Sequence, residues 1–399
     1  MLNSVAQNTA SNDYSKIKLV AFYLTQFHPI PENDEWWGKG FTEWTNATKA
    51  QPQFTGHYQP HLPTEFGFYD LRVRQTRRDQ IAVAKEFGIG AFCYHYYWFS
   101  GKRLLNAPLD DMLADPESDM PFCLSWANEN WTRAWDASAH KILIAQKYNS
   151  DDDLEFIKSV VPFMKDRRYL RLDDKPILMV YRPQHLPNAK KSAEVWRKHC
   201  KAVGIGEIQI FCCFTHGNWE YQKFGFDGGV EFPPHNAKVH NVQKKLPKHE
   251  NYSGYAFEFK DLAKQYLAHD YLEKNGFRGV YPSWDNTARK GNLATITLNG
   301  TPSNYEFWLS QALKKTAIEY PAKERLIFIN AWNEWAEGCH LEPDRKYGRA
   351  FLEATLSAKM GNSTLDNWAN SGIEIDGRSQ SLRGRRRLRD FIPKYLKVG

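Results

Sequence analysis

Eight short apolar runs, each followed by a helix-like or loop stretch, constrain this chain more than any other feature. They are KLVAFYL (18–24), GIGAFCYHYY (88–97), MPFCLSW (120–126), PILMVY (176–181), IQIFCCF (208–214), FDGGVEF (226–232), FRGVYPSW (277–284) and LIFINAW (326–332). They are rich in β-branched and aromatic residues and too short for helices, so they read as strands. Their unbroken apolar character suits parallel strands covered on both faces. Amphipathic helical patterns fall between them at 69–88, 151–167, 189–204, 303–320 and 347–361. Asp70, Ser150 and Ser303 read as N-caps, and Gly88, Gly204 and Gly361 as C-terminal stops. Strand–helix alternation predicts a parallel sheet. Eight repeats predict closure into a (β/α)8 barrel rather than an open doubly wound sheet. The 399 residues fit, since such barrels run from ~250 residues to about 400 with insertions.

The domain organisation follows: a flexible N-terminus over 1–16, the barrel over 17–362, and a basic tail over 363–399. Long insertions follow strand 1 (25–68) and strand 6 (233–255). Loops of that length commonly serve as lids or binding walls.

At 42% hydrophobic and 25% charged, the chain has the composition of a soluble globular protein. No stretch approaches the roughly 20 apolar residues that span a bilayer. The first residues lack the apolar core of a secretory signal. Cys93, Cys123, Cys212 and Cys213 lie in apolar runs and no C-x-x-C pair occurs, which points to a reducing compartment. The expected location is therefore cytoplasmic. The net charge of +7 is concentrated in residues 378–399, which hold eight cations and one acid. The body is close to neutral, so no nucleic-acid footprint is expected. The tail reads either as a solvated end or as a peripheral contact with an anionic membrane surface or acidic glycan. Phe391, Ile392, Tyr395 and Leu396 interleave its cations.

Polar and aromatic clusters sit at the C-terminal ends of the strands, where a barrel of this type builds its active face. The strongest is NAWNEWAEG (330–338). A helical turn there places Glu334 and Glu337 on one face. Cleaving or making a glycosidic bond takes one carboxylic acid to protonate the leaving oxygen and a second carboxylate as base or nucleophile. Mutual repulsion raises one of two close carboxylates toward the working range. Trp332 and Trp335 offer faces for sugar rings. The same acids also suit a helix start with Asn333 as cap. WANENW (126–131) places Glu129 between Asn128 and Asn130, flanked by Trp126 and Trp131, in a pattern suited to hydroxyl recognition or to a turn. Trp284, Asp285, Asn286 and Arg289 follow strand 7, Glu231 and His235 follow strand 6, and His28 and His95 follow strands 1 and 2. Each suits a sugar contact or a loop-orienting role. Glu43 and Trp44, in GFTEW, read as a wall from the first long loop.

NAWNEWAEGCHLEPD, WWGKGFTEW, TQFHP, WANENW and SWDNTAR together resemble the WbsX-type family, glycoside hydrolase family 99-like proteins associated with lipopolysaccharide O-antigen biosynthesis. The resemblance covers about residues 17–360. It implies an oligosaccharide or lipid-linked glycan as substrate. Family 99 endo-α-mannosidases carry an N-E-W-x-E-G segment on a (β/α)8 barrel. By that resemblance Glu334 is the base on a neighbouring 2-hydroxyl, giving a 1,2-anhydro sugar. Glu337 then protonates the leaving oxygen and later deprotonates the acceptor. Ala336 stands where the mannosidases carry histidine, which leaves substrate and acceptor open.

Transfer and hydrolysis differ in the acceptor and share the carboxylates. No G-x-G-x-x-G or P-loop occurs, and no cofactor is expected. The D-x-D at Asp151–Asp153 sits at a helix start, where acids favour the dipole. A metal-dependent hydrolase would draw on His95, His216, His235 and His340, but no H-x-H follows strand 1 and no H-E-x-x-H occurs, so no metal is expected. A non-catalytic glycan-binding barrel suits the aromatic strand ends equally.

Overall fold

The computed structural model describes residues 14–132, 142–144, 146, 148, 150–247, 251–270, 275–321, 323, 325–363 and 368. Eight strands form the barrel: β1 (Lys18–Tyr23), β2 (Ile89–Phe99), β3 (Phe122–Trp126), β4 (Lys175–Val180), β5 (Gln209–Phe214), β6 (Gly228–Glu231), β7 (Gly276–Val280) and β8 (Leu326–Ile329). All eight neighbouring pairs run parallel, and β1 pairs with both β8 and β2, so the sheet closes with no open edge. The eight apolar runs are these strands. Their side chains are almost wholly buried because core fills one face and helices cover the other.

The run DGGV forms a strand for a steric reason. A Cβ on Gly229 would lie 2.1 Å from the Phe214 ring of the neighbouring β5, so only glycine lets that ring pass across the sheet.

Helices α1 (Pro31–Trp37) and α2 (Glu43–Lys49) lie in the long loop after β1. The outer layer comprises α3 (Arg74–Glu86), α4 (Ala107–Ala114), α5 (Ser150–Met164), α6 (Ala189–Ala202) and α7 (Phe259–Ala268), then α9 (Pro302–Glu319) and α10 (Ala350–Lys359). The short α8 (Thr287–Lys290) precedes α9 in the loop after β7. Between β5 and β6 only the single turn Gln222–Phe224 intervenes.

Two cap expectations are corrected. The helix expected from 69 begins at Arg74, because the Asp70 carboxylate accepts the Arg72 N–H within a turn and holds the chain out of helix. The cap of α9 is Thr301, whose hydroxyl accepts from the Asn304 N–H, with Pro302 fixing the first helical residue. Gly88, Gly204 and Gly361 all have positive φ just beyond their helices, as their reading as stops requires. The acids of D-x-D occupy the first turn of α5, and Asp152 accepts the Trp98 indole N–H.

The insertion after β6 folds in part against the loop after β7. Its end forms the strand Tyr255–Glu258, paired with Thr295–Leu298 from the loop after β7, beside the barrel and outside its sheet. Residues 378–399, with their cations, lie outside the described residues. Among the described residues no helix is long and apolar enough to cross a membrane.

Candidate active site

The chain leaves β8 into a small hairpin. Asn333 and Glu334 pair antiparallel with Cys339 and His340, and Trp335–Glu337 form one 3₁₀ turn at the tip. The helical turn expected here is thus a hairpin tip, closed by Gly338 at φ +55. A Cβ there would meet Asp285 at 2.9 Å. The hairpin is tied to the loop after β7 by Asp285 N–H to the Glu337 carbonyl (2.6 Å) and Ser283 hydroxyl to the Gly338 carbonyl (2.5 Å).

Both glutamates face one guanidinium. Arg289 donates to Glu337 Oε1 at 2.6 Å and to Glu334 Oε2 at 3.1 Å, and its fork also grips Glu43 Oε1 at 2.6 Å. Segments distant in sequence therefore meet here: the first long loop, the loop after β7 and the hairpin after β8. Three carboxyl groups share one guanidinium. Burial pushes Glu334 well above the ordinary carboxylate range, Arg289 opposes the shift, and Glu337 and Glu43 add to it. Glu337 is raised for the same first reason, again opposed by Arg289. Glu334 is the deeper of the two. The Glu337 side chain keeps 20% of its surface open.

His95 Nε2 lies 3.9 Å from Glu334 Oε1. Burial, reinforced by Arg289, holds its imidazole down at about 4, so it is neutral near pH 7. Tyr97, which the sequence reading did not single out, is buried next to it and raised by burial and by Glu334. Trp131 packs edge-on to Tyr97 at 5.4 Å and keeps part of its surface exposed.

The opposite wall carries Glu129, paired with Arg182 at 2.5 Å, and His235, whose Nε2 lies 3.3 Å from the Tyr181 hydroxyl. His216 and Trp284 flank His235, with ring centroids 4.9 and 6.1 Å away. Burial, helped by His216 and Arg182, holds His235 at about 3. Tyr181 and Arg182 were also missed, and His216 was named only as a candidate metal ligand. The first two follow β4 in the YRP cluster and were legible only as members of it.

Other expected contacts are corrected. Trp126, Trp332 and Trp335 are core residues. Trp126 stacks on Phe156 at 4.2 Å, Trp332 packs on Phe92, and Trp335 stacks on His340 at 3.8 Å. Trp44 is likewise packed among Phe27, Tyr69 and Trp335. Asn333, Asn128 and Asn286 spend their amides on backbone: Asn333 on Leu24, Asn128 on Arg182, Asn286 on Thr295. Asn130 is exposed and accepts from the Gln146 N–H. Glu231 turns to the helix layer, accepting from the Gly279 N–H at 2.8 Å with His269 at 3.1 Å. His28 is buried near Asp70 and Arg72, away from the glutamates. Asp285 accepts from His57 (2.6 Å), Gln59 and Thr287. Burial raises it, but His57, with His61 and Thr287, outweighs that and holds it at about 2.

Glu342, also missed, anchors the hairpin from below. It accepts from Trp335, Tyr69 and Gln80 at 2.7–2.8 Å. Burial lifts it to about 7 against those hydrogen bonds. A cavity of about 120 Å³ lies beside the glutamate pair, lined by His57, Tyr58, His61, Trp284, Asp285 and Lys346 but by neither glutamate.

Comparison with known proteins decides the family. The model of the family described as glycosyltransferase WbsX matches residues 19–355. The chain belongs to the WbsX glycosyltransferase family. Two proteins named "Uncharacterized protein WxcX", from Xanthomonas campestris pv. campestris, are 44% identical over 353 residues (strain B100) and 45% identical over 341 (strain ATCC 33913). These alignments cover 88% and 85% of this chain but 51% and 49% of the relatives, so it spans about half their length. Among solved structures, a glycoside hydrolase-like protein superposes with TM-score 0.53 at 13% identity, covering 86% of this chain and 94% of the other. The family 99 endo-α-mannosidase of Bacteroides thetaiotaomicron gives TM-score 0.51 at 13% identity, covering 86% and 97%. At that identity the likeness is one of fold. This WbsX family member is a (β/α)8 barrel.

Proposed function

We propose that this WbsX family member makes glycosidic bonds in a cell-surface polysaccharide by retaining chemistry, with Glu334 and Glu337 as the working carboxylates. The observation that carries the reading is their convergence on one guanidinium, Arg289, at the C-terminal mouth of the barrel. The roles follow the family 99 resemblance. Glu334, the buried partner, takes the proton of the sugar 2-hydroxyl while that oxygen attacks the anomeric carbon. Glu337, the more open partner, gives its proton to the departing glycosidic oxygen. An acceptor hydroxyl then loses its proton to Glu337 and opens the 1,2-anhydro ring, and the 2-oxygen recovers its proton from Glu334. Two inversions give net retention.

Burial raises both glutamates, so the pair can hold a proton before reaction, and the placing of that proton on Glu337 rests on the family 99 resemblance. The acceptor wall of the proposal is Glu129, Arg182, Tyr181, His216, His235 and Trp131. The six free, buried cysteines support a reducing, cytoplasmic setting. A lipid-linked O-antigen-type glycan is the proposed substrate.

The test is incubation of the chain with lipid-linked and free surface-polysaccharide oligosaccharides, with products weighed by mass spectrometry. Mass gain in the acceptor supports transfer. Shortened chains assign the same carboxylates to hydrolysis. No change across the panel, with glycan binding retained, makes the barrel a binding protein and sinks the proposal.

A further inference from the structure

Beside the glutamate hairpin lies a second constellation that the chemistry above does not use. His61, His340 and Asp344 are all buried, and one ligand atom from each lies within 4.8 Å of the others. His61 Nδ1 and His340 Nε2 are 2.9 Å apart. The three come from two distant segments that the backbone clamps together. Pro63 bridges Asp344, the Thr64 N–H donates to the Pro343 carbonyl at 3.1 Å, and the Arg345 N–H donates to the Leu62 carbonyl at 3.0 Å. The donors are therefore held by rigid backbone before any ligand arrives.

We propose that His61, His340 and Asp344 form a site for one divalent transition cation of the zinc type, which pins the first long loop to the hairpin carrying Glu334 and Glu337. Three features carry it. His340 Nδ1 faces the Glu342 carbonyl at 3.0 Å. A carbonyl only accepts, so the ring proton sits on Nδ1 and the Nε2 lone pair points at His61. That is the outer-shell arrangement that metal-binding imidazoles use. Asp344 is a buried carboxylate oriented by the Tyr347 N–H at 2.6 Å, and no arginine or lysine is ion-paired with it among the described residues. Buried carboxylates are ordinarily paired with a cation or coordinate a metal. Finally, two imidazoles and one carboxylate are a donor set for zinc, with the fourth position left to water from the adjoining cavity.

The metal-free pair satisfies itself by a His61 Nδ1–H to His340 Nε2 hydrogen bond. Metal binding requires His61 to shift its proton to Nε2, a change of tautomer with no change in charge. The two nitrogens would part by a few tenths of an ångström, since metal–nitrogen bonds of about 2.0–2.1 Å at tetrahedral angles separate them by roughly 3.3 Å. Tyr58, whose ring centroid lies 4.4 Å from that of His61, and Lys346, His57 and Asp285 are the other charged or titratable neighbours of His61.

The inference is independent of the reaction proposed above, because its readout is metal content and stability. The full chain is stripped with chelator, dialysed, and titrated with zinc chloride while bound zinc per chain and Tm are followed. The expected result is one zinc per chain and a Tm that climbs with zinc concentration. Both are to be lost in Asp344→Asn and in His61→Gln and retained in His216→Gln/His235→Gln, which removes the other histidine pair of the mouth. Should His61→Gln fail to fold, Asp344→Asn decides. A wild-type chain that takes up no zinc overturns the assignment, as does zinc that Asp344→Asn retains in full.

Discussion

Removing the Arg289 guanidinium should make the protein's stability strongly pH-dependent. The wild-type side chain faces Glu43, Glu334 and Glu337 and is itself 14% exposed. Unit charges about 4 Å apart at an effective dielectric of about 20 interact by ~4 kcal/mol. A neighbouring arginine typically moves a carboxyl by about 1–3 pH units, or ~1.4–4 kcal/mol per group. Glu334 and Glu337 already lie above the ordinary glutamate value of 4.5 in the folded chain. Their contribution is thus greatest below that value and is lost as pH rises through the folded pKa. In Arg289→Gln the folded values climb further, so the loss extends to higher pH and is larger. At pH 4 Glu334 and Glu337 are largely protonated in both states, and the substitution costs mainly its hydrogen bonds to them and its contact with Glu43. By pH 8 the gap from wild type should widen by about 1–4 kcal/mol for each glutamate. Urea unfolding at a series of pH values reads this directly, with Arg182→Gln as control, because its partner Glu129 is 43% exposed and screened by water. A gap that stays constant from pH 4 to pH 8 would refute the electrostatic account of the site.

Other outcomes follow from single contacts. Asp285, held at about 2 by His57, contributes stability above the ordinary aspartate value of 3.8 that is lost as pH falls toward 2. Asp285→Asn should therefore cost about 2 kcal/mol at pH 6 and much less at pH 2, measured by urea unfolding. Glu342→Ala leaves the Tyr69, Gln80 and Trp335 donors buried without their acceptor, at about 1–3 kcal/mol each, so Tm should drop markedly while Glu342→Gln drops less. Gly229→Ala drives a methyl into the Phe214 ring and should yield little folded protein by circular dichroism.

The barrel was legible because parallel strands buried on both faces leave unbroken apolar runs that periodicity counting finds. Even the glycine-rich β6 was found, since Val230 and Phe232 kept it apolar. Helix starts were less legible. Asp70 and Thr301 compete for the chain through local side-chain hydrogen bonds that sequence spacing does not rank. Within the site, Glu334, Glu337, Arg289 and Glu43 were named from their position after strands or in the long first loop, and the fold brings them together. The tryptophans misled because an indole after a buried strand can turn into the core as easily as toward the mouth, and Trp126, Trp332 and Trp335 turn inward. Glu342 and His61 escaped notice because their partners lie across the fold: Tyr69 and Gln80 for the first, His340 for the second.

The most direct test of the central claim is a paired measurement of turnover and glycan affinity on Glu334→Gln and Glu337→Gln, using the substrate that the product screen identifies. The account predicts that each variant loses roughly 10²–10⁴-fold or more in kcat while glycan Kd changes little, because each supplies a proton transfer rather than ground-state binding. Full turnover in either variant, or a loss confined to affinity, would contradict it.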